Sequence, residues 1–82
     1  MFEQKVREIL ELTMRISTET DLNANMDYDG NSEGVSARVF RDLETEDWLY
    51  YSPVIFKSLA TEAVLDDIID NLHQFVEVTD NV

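Results

Sequence analysis

The spacing of apolar residues changes period twice along this chain, and those changes restrict the fold more than any single motif. From Phe2 onward Val6, Ile9, Leu10, Thr13 and Ile16 recur at three- and four-residue steps, with Leu12 and Met14 on the flanks. That is the stripe of an amphipathic helix over residues 2–16. Ser17 to Asp21 then supplies side chains that bond the backbone locally and compete with helix, so the helix is expected to end there. At Leu22 the period becomes two: Leu22, Ala24, Met26 and Tyr28 alternate with Asn23, Asn25, Asp27 and Asp29, a strand with one dry and one wet side. The turn Gly30 to Gly34 leads into a second strand, with Val35, Ala37, Val39 and Leu43 on one side and Ser36, Arg38, Phe40 and Asp42 on the other.

After the polar connection Glu44 to Asp47, Trp48 to Phe56 reads as a third strand, dense in aromatic and β-branched residues. Pro53 has no N–H to give a ladder, which places this strand at a sheet edge or gives it a bulge. Its register stays open, because Trp48, Tyr50, Val54 and Phe56 on one alternation and Leu49, Tyr51 and Ile55 on the other are both apolar sets. Past Lys57 the helical period returns. Ser58 or Thr61 can cap a helix whose stripe is Leu65, Ile68, Ile69, Leu72 and Val76, with Asp66, Asp67, Asp70, Gln74 and Glu77 on the wet side. The order predicts one α+β domain over residues 1–82: a three-stranded antiparallel meander, with an N-terminal and a C-terminal helix packed on one sheet face. The opposite face is then open and carries Asn23, Asn25, Asp27, Asp29, Arg38, Phe40 and Tyr51.

Charge bounds the function. Eighteen acidic residues face six basic ones, a net charge of −12. Such a chain repels nucleic acid and anionic lipid, which are recognised through Lys and Arg, and is drawn to basic surfaces instead. Solubility alone is satisfied by about 2–8 charges on a small domain. There is no cysteine, hence no disulfide, thiol nucleophile or thiolate metal site. With no long apolar run and no leader-like N-terminus, the expected location is the cytoplasm.

Candidate chemistry is sparse. His73 stands three residues after Asp70 and four before Glu77, a spacing that an acidic helix produces by chance, and a lone histidine on a wet face is ordinarily solvated. Asp27-Tyr-Asp29-Gly-Asn31-Ser-Glu33 resembles the opening of a calcium loop. Its glycine comes too early, however, and Arg38 stands where the bidentate Glu belongs, so a solvated acidic turn is expected and no metal or other cofactor is assigned. No nucleophile motif or Gly-rich phosphate loop occurs, and the expected class is a non-catalytic binding protein.

The acids are unevenly placed: residues 1–20 carry −1, whereas residues 21–47 and residues 58–82 carry −6 each. If the first strand and last helix lay on one side, their carboxylates would repeat every ~5–7 Å, near the spacing of backbone phosphates. With acid clusters at Asp27-Asp29-Glu33, Asp42-Glu44-Glu46-Asp47 and Asp66-Asp67-Asp70, the length and αβββα layout resemble the small acidic inhibitors carried by phages, including some anti-CRISPR proteins. That resemblance implies a decoy that imitates DNA and occupies the basic groove of a nucleic-acid-processing protein. The partner-binding residues expected on this reading are Asp27, Asp29, Glu33, Phe40, Asp42, Glu44, Glu46, Asp47, Tyr51, Asp66 and Asp70, with Trp48 as a further aromatic anchor. The alternative is an accessory or structural module, a homodimer through the open face or the third strand, whose acidity serves only solubility.

Overall fold

The computed structural model describes residues 1–41 and 48–80, with side chains to Val76. Helix α1 spans Phe2–Glu19. It outlasts its apolar stripe because the Thr18 and Thr20 hydroxyls donate back to the Met14 and Ile16 carbonyls, at 2.8 and 2.6 Å. The Arg15–Glu19 pair, at 2.8 Å, closes the last turn. Strands β1 (Asn23–Asp29) and β2 (Gly34–Phe40) form an antiparallel hairpin, with Ala24 opposite Val39 and Asp27 opposite Ser36. The turn takes its one left-handed residue at Glu33, φ 54°, rather than at either glycine. Lys57 N–H donates to the Glu33 carbonyl at 2.9 Å and holds it there.

The predicted third strand is two pieces, β3 (Trp48–Tyr51) and β4 (Ile55–Phe56), both antiparallel to β2. The break falls at Ser52-Pro53-Val54, where proline cannot join a ladder. Ser52 repairs the gap. Its N–H donates to the Ala37 carbonyl at 2.9 Å, and its buried Oγ accepts the Ala37 N–H at 2.8 Å. A bulge between Val39 and Phe40 sets Val39 opposite Tyr50 but Phe40 opposite Trp48, leaving Leu49 as the extra residue. This decides the register that alternation alone left open. Leu49, Tyr50 and Ile55 turn to the core, while Trp48 and Tyr51 share the opposite face.

A short 3₁₀ turn, Lys57–Leu59, leads to helix α2, Glu62–Asp80. Thr61 caps it, its Oγ1 accepting the Val64 N–H at 3.2 Å. Val35, Ala37 and Val39 project from one side of β2 into a single core with Ile9, Leu12 and Ile16 of α1 and Leu65, Leu72 and Val76 of α2. Both helices therefore cover the same sheet face, giving the expected α+β layout. Within α1 the flanks exchange roles: Leu12 is buried, whereas Leu10 is 44% exposed. The reason is that Leu12 meets the α2 side, at Ile69, whereas Leu10 lies with Met14 and Met26 at the margin where the sheet ends. No helix among the described residues is long and apolar enough to cross a membrane.

The Ser52 repair yields a direct test. Ser52→Ala strands a buried Ala37 N–H, which costs about 1–3 kcal/mol. That corresponds to a drop of several degrees, on the order of 4–8 °C per kcal/mol, for a domain of this size. Thermal unfolding of the variant against the parent measures it, and an unchanged Tm would show that the bond carries no weight.

Candidate docking face

The uncovered face of the sheet is divided into two strips. Along β1 and β2 it is polar: Asn25, Asp27 and Arg38 form one connected group, the Arg38 guanidinium donating to the Asn25 side-chain oxygen and to the Asp27 carboxylate. Along β3 and β4 it is apolar: Trp48 is 44% exposed, Tyr51 59%, Val54 49% and Phe56 41%. Val54 and Phe56 close over Gly34, where an added Cβ would stand 2.9 Å from Val54 Cγ1, so glycine is needed there for room rather than for backbone freedom.

Arg38 joins the strips. Its guanidinium carbon lies 5.7 Å from the Trp48 ring centroid, within cation–π range. Trp48 in turn meets Tyr51 edge-on, centroids 5.8 Å apart at 88°, and tilts against Phe40 at 5.3 Å. Phe40 lies on this face as expected, but it is only 5% exposed because the bulge brings Trp48 across it. It cannot anchor a partner; it supports Trp48. Tyr51, Trp48 and Phe56 are the accessible rings of this strip, and the first two are in contact. Exposed apolar residues in a contiguous patch, unlike scattered ones, mark interaction surfaces, and Trp, Tyr and Arg are the side chains that most often dominate them.

Among the described residues the predicted acids do not form one array. Asp27 shares the outer face with Ser36, its partner across the hairpin, whereas α2 packs on the inner face. The carboxylates of β1 and those of α2 are therefore on opposite sides of the domain, and a phosphate-like row running across both does not form. Asp29 Oδ1 accepts the Asn31 N–H at 2.8 Å and orders the turn, while Glu33 lies 3.9 Å from Lys57. On the helical side Asp66 takes Lys5 at 2.6 Å, with Glu62 at 4.0 Å, and Asp70 is exposed. Asp42, Glu44, Glu46 and Asp47 lie outside the described residues.

No group of three or more His, Cys, Asp or Glu side chains among the described residues is arranged to hold a metal ion. Asp27, Asp29 and Glu33 each turn to a different partner, and exposed His73 lines a shallow cleft of about 170 Å³ with Glu8, Glu11 and Arg15. No family model, curated protein or solved structure matches the chain, so no residue role comes from a relative.

Lys5 and Tyr50 hold their protons more tightly than usual. The Asp66 hydrogen bond holds the Lys5 ammonium above its usual value of 10.5, burial working against it. Burial pushes the Tyr50 phenol above 10.0, aided by the nearby Asp67 charge. Both groups bind their proton more tightly folded than unfolded, so their contribution is complete below the unfolded values and is lost as pH rises through the raised ones. Urea unfolding at stepped alkaline pH should show stability falling from about pH 10 upward. Replacing both groups, as Lys5→Met with Tyr50→Phe, should flatten that fall. An equally steep decline in the double variant would assign it to other groups.

Proposed function

We propose that this chain is a non-catalytic acidic binding protein that docks its open sheet face on a basic surface of a partner protein, one that otherwise holds nucleic acid. It acts there as an inhibitor or decoy. The observation that carries this reading is an exposed aromatic strip, Trp48 and Tyr51, on a chain of net charge −12 whose basic side chains are already paired. Lys5, Arg7, Arg15, Arg38 and Lys57 are each already set against a carboxylate of the same chain. Meanwhile Glu11, Asp21, Asp29, Asp67 and Asp70 have no basic side chain at ion-pair distance among the described residues.

Exposed pairs of this kind contribute only about 0–1 kcal/mol each to stability. Their larger effect is to set those cations against acids of the same chain, so that the excess of carboxylates shows outside as a net negative field. Such a field accelerates and orients encounter with a basic patch, whereas buried rings hold the complex once formed. Trp48 and Tyr51 supply the rings, and Asp29, with the more loosely paired Glu33 at the turn, supplies the adjoining charge.

The test is capture of partners from a bacterial lysate by the immobilised protein at low and high ionic strength, with duplex DNA as competitor. Capture should fall steeply with salt, be displaced by DNA, and be lost in Trp48→Ala/Tyr51→Ala. Asp29→Asn with Glu33→Gln should slow association on the order of tenfold. Capture indifferent to salt and to DNA would sink the proposal. A stable dimer that dissociates on Trp48→Ala would instead put a second copy on this face.

A further inference from the structure

The two edges of the sheet are finished differently. On the β3–β4 side Ser52, Pro53 and Val54 interrupt the strand and leave only short pieces, a form of edge that resists pairing. On the other side β1 runs unbroken from Asn23 to Asp29. Ser17 Oγ donates to the Ala24 carbonyl at 2.9 Å and accepts the Ala24 N–H at 3.0 Å, so the main-chain groups of Ala24 point away from β2. In an antiparallel ladder the outward groups recur at every second residue. The N–H and C=O of Met26 and Tyr28 therefore line the free edge, and no described residue bonds any of the four.

Two depressions follow the seam between this edge and α1. One, about 320 Å³, is lined by Leu10, Met14 and Met26 among others; the other, about 380 Å³, by Phe2, Val6 and Tyr28 together with the charged Glu3, Arg7, Glu33 and Lys57. Leu10, Met14 and Tyr28 are all exposed. Across the strand from the seam stand Asn25, Asp27 and Asp29.

We infer that the free edge of β1 is a strand-acceptor site for an extended partner segment in which apolar residues alternate with Lys or Arg. The inference rests on the proposed function in taking the partner to be basic, and adds where and how a segment of it is held. Main-chain bonds to Met26 and Tyr28 fix the segment. Side chains at every second position, ~6.6–6.8 Å apart, enter the seam, and those between them lie beside Asp27 and Asp29. A second copy of this chain is the weaker occupant, since each carries a net charge of −12 and would bring carboxylates to the same edge.

The probe is a short blocked peptide of alternating Lys and Val, titrated against the whole protein. Controls are the same residues in two blocks and an analogue methylated on the backbone nitrogens that would face β1. The alternating peptide should bind and slow hydrogen exchange at the Met26 and Tyr28 amides. Backbone methylation should weaken it about tenfold or more. Met26→Pro removes an outward N–H that the β1–β2 ladder does not use, and should weaken binding to the same extent. Leu10→Lys/Met14→Lys, on the surface of α1, should do so without touching the edge backbone.

Equal binding of the block peptide, no binding of the alternating one, or binding unaffected by Met26→Pro would overturn the acceptor site. If salt-sensitive capture through Trp48 and Tyr51 persisted meanwhile, the proposed function would stand without it. Loss of all salt-sensitive binding to basic partners would remove both. A dimer abolished by Met26→Pro would give the edge to a second copy and likewise overturn the inference.

Discussion

Strand β2 is the member against which everything else is placed. It pairs with β1 on one side and with β3 and β4 on the other, and its Val35, Ala37 and Val39 are almost wholly sealed by the two helices. A strand in that position cannot leave main-chain groups unpaired, because each one buried without a partner costs more than a typical hydrogen bond contributes. The strand break at Pro53 takes a main-chain acceptor away from the Ala37 N–H, and the Ser52 hydroxyl accepts it instead. The bulge at Leu49 meets the same demand further along, letting the aromatic segment keep its bonds to β2 while aiming Trp48 and Tyr51 outward. The exposed aromatic strip is thus a by-product of keeping β2 satisfied.

The outer face also separates two kinds of work. Arg38 is the one cation between the acidic strip and the aromatic strip, and it is engaged with both. It holds the Trp48 ring and blunts Asp27, so the charge left for long-range attraction comes from Asp29 and the turn rather than from the strand centre. On the proposed reading, attraction at a distance and contact at short range would fall to different residues of the same surface.

Most of the architecture was legible because apolar periodicity states directly which side of an element is buried. The helix–strand switch at Leu22, both helical stripes and the contents of the open face follow from it. What alternation could not reveal is anything that breaks its own rule. The extra residue at Leu49 lets Trp48 and Tyr51 share the open face, which simple alternation denies them, and two apolar alternations gave no signal to locate it. Pro53 announced a disruption, but that Ser52 would close it depended on a side chain adjacent in sequence and opposite in space to Ala37. Leu10 and Leu12 exchanged places because the stripe of a helix fixes its direction only to within a flank, and neighbours decide the rest. The acids were legible as clusters but not as surfaces, since only the sheet-and-helix layering puts β1 and α2 carboxylates on opposite sides.

Pro53 has one more consequence. Sheets grow into fibres when every molecule is adhesive at both margins, so that each addition exposes a fresh place for the next. Here one margin is a continuous strand and the other is broken at a residue with no hydrogen to give. Only one margin of the molecule is continuous: a second copy joined at β1 would turn its broken margin outward, so the chain's own backbone does not offer the two adhesive margins that a growing sheet needs.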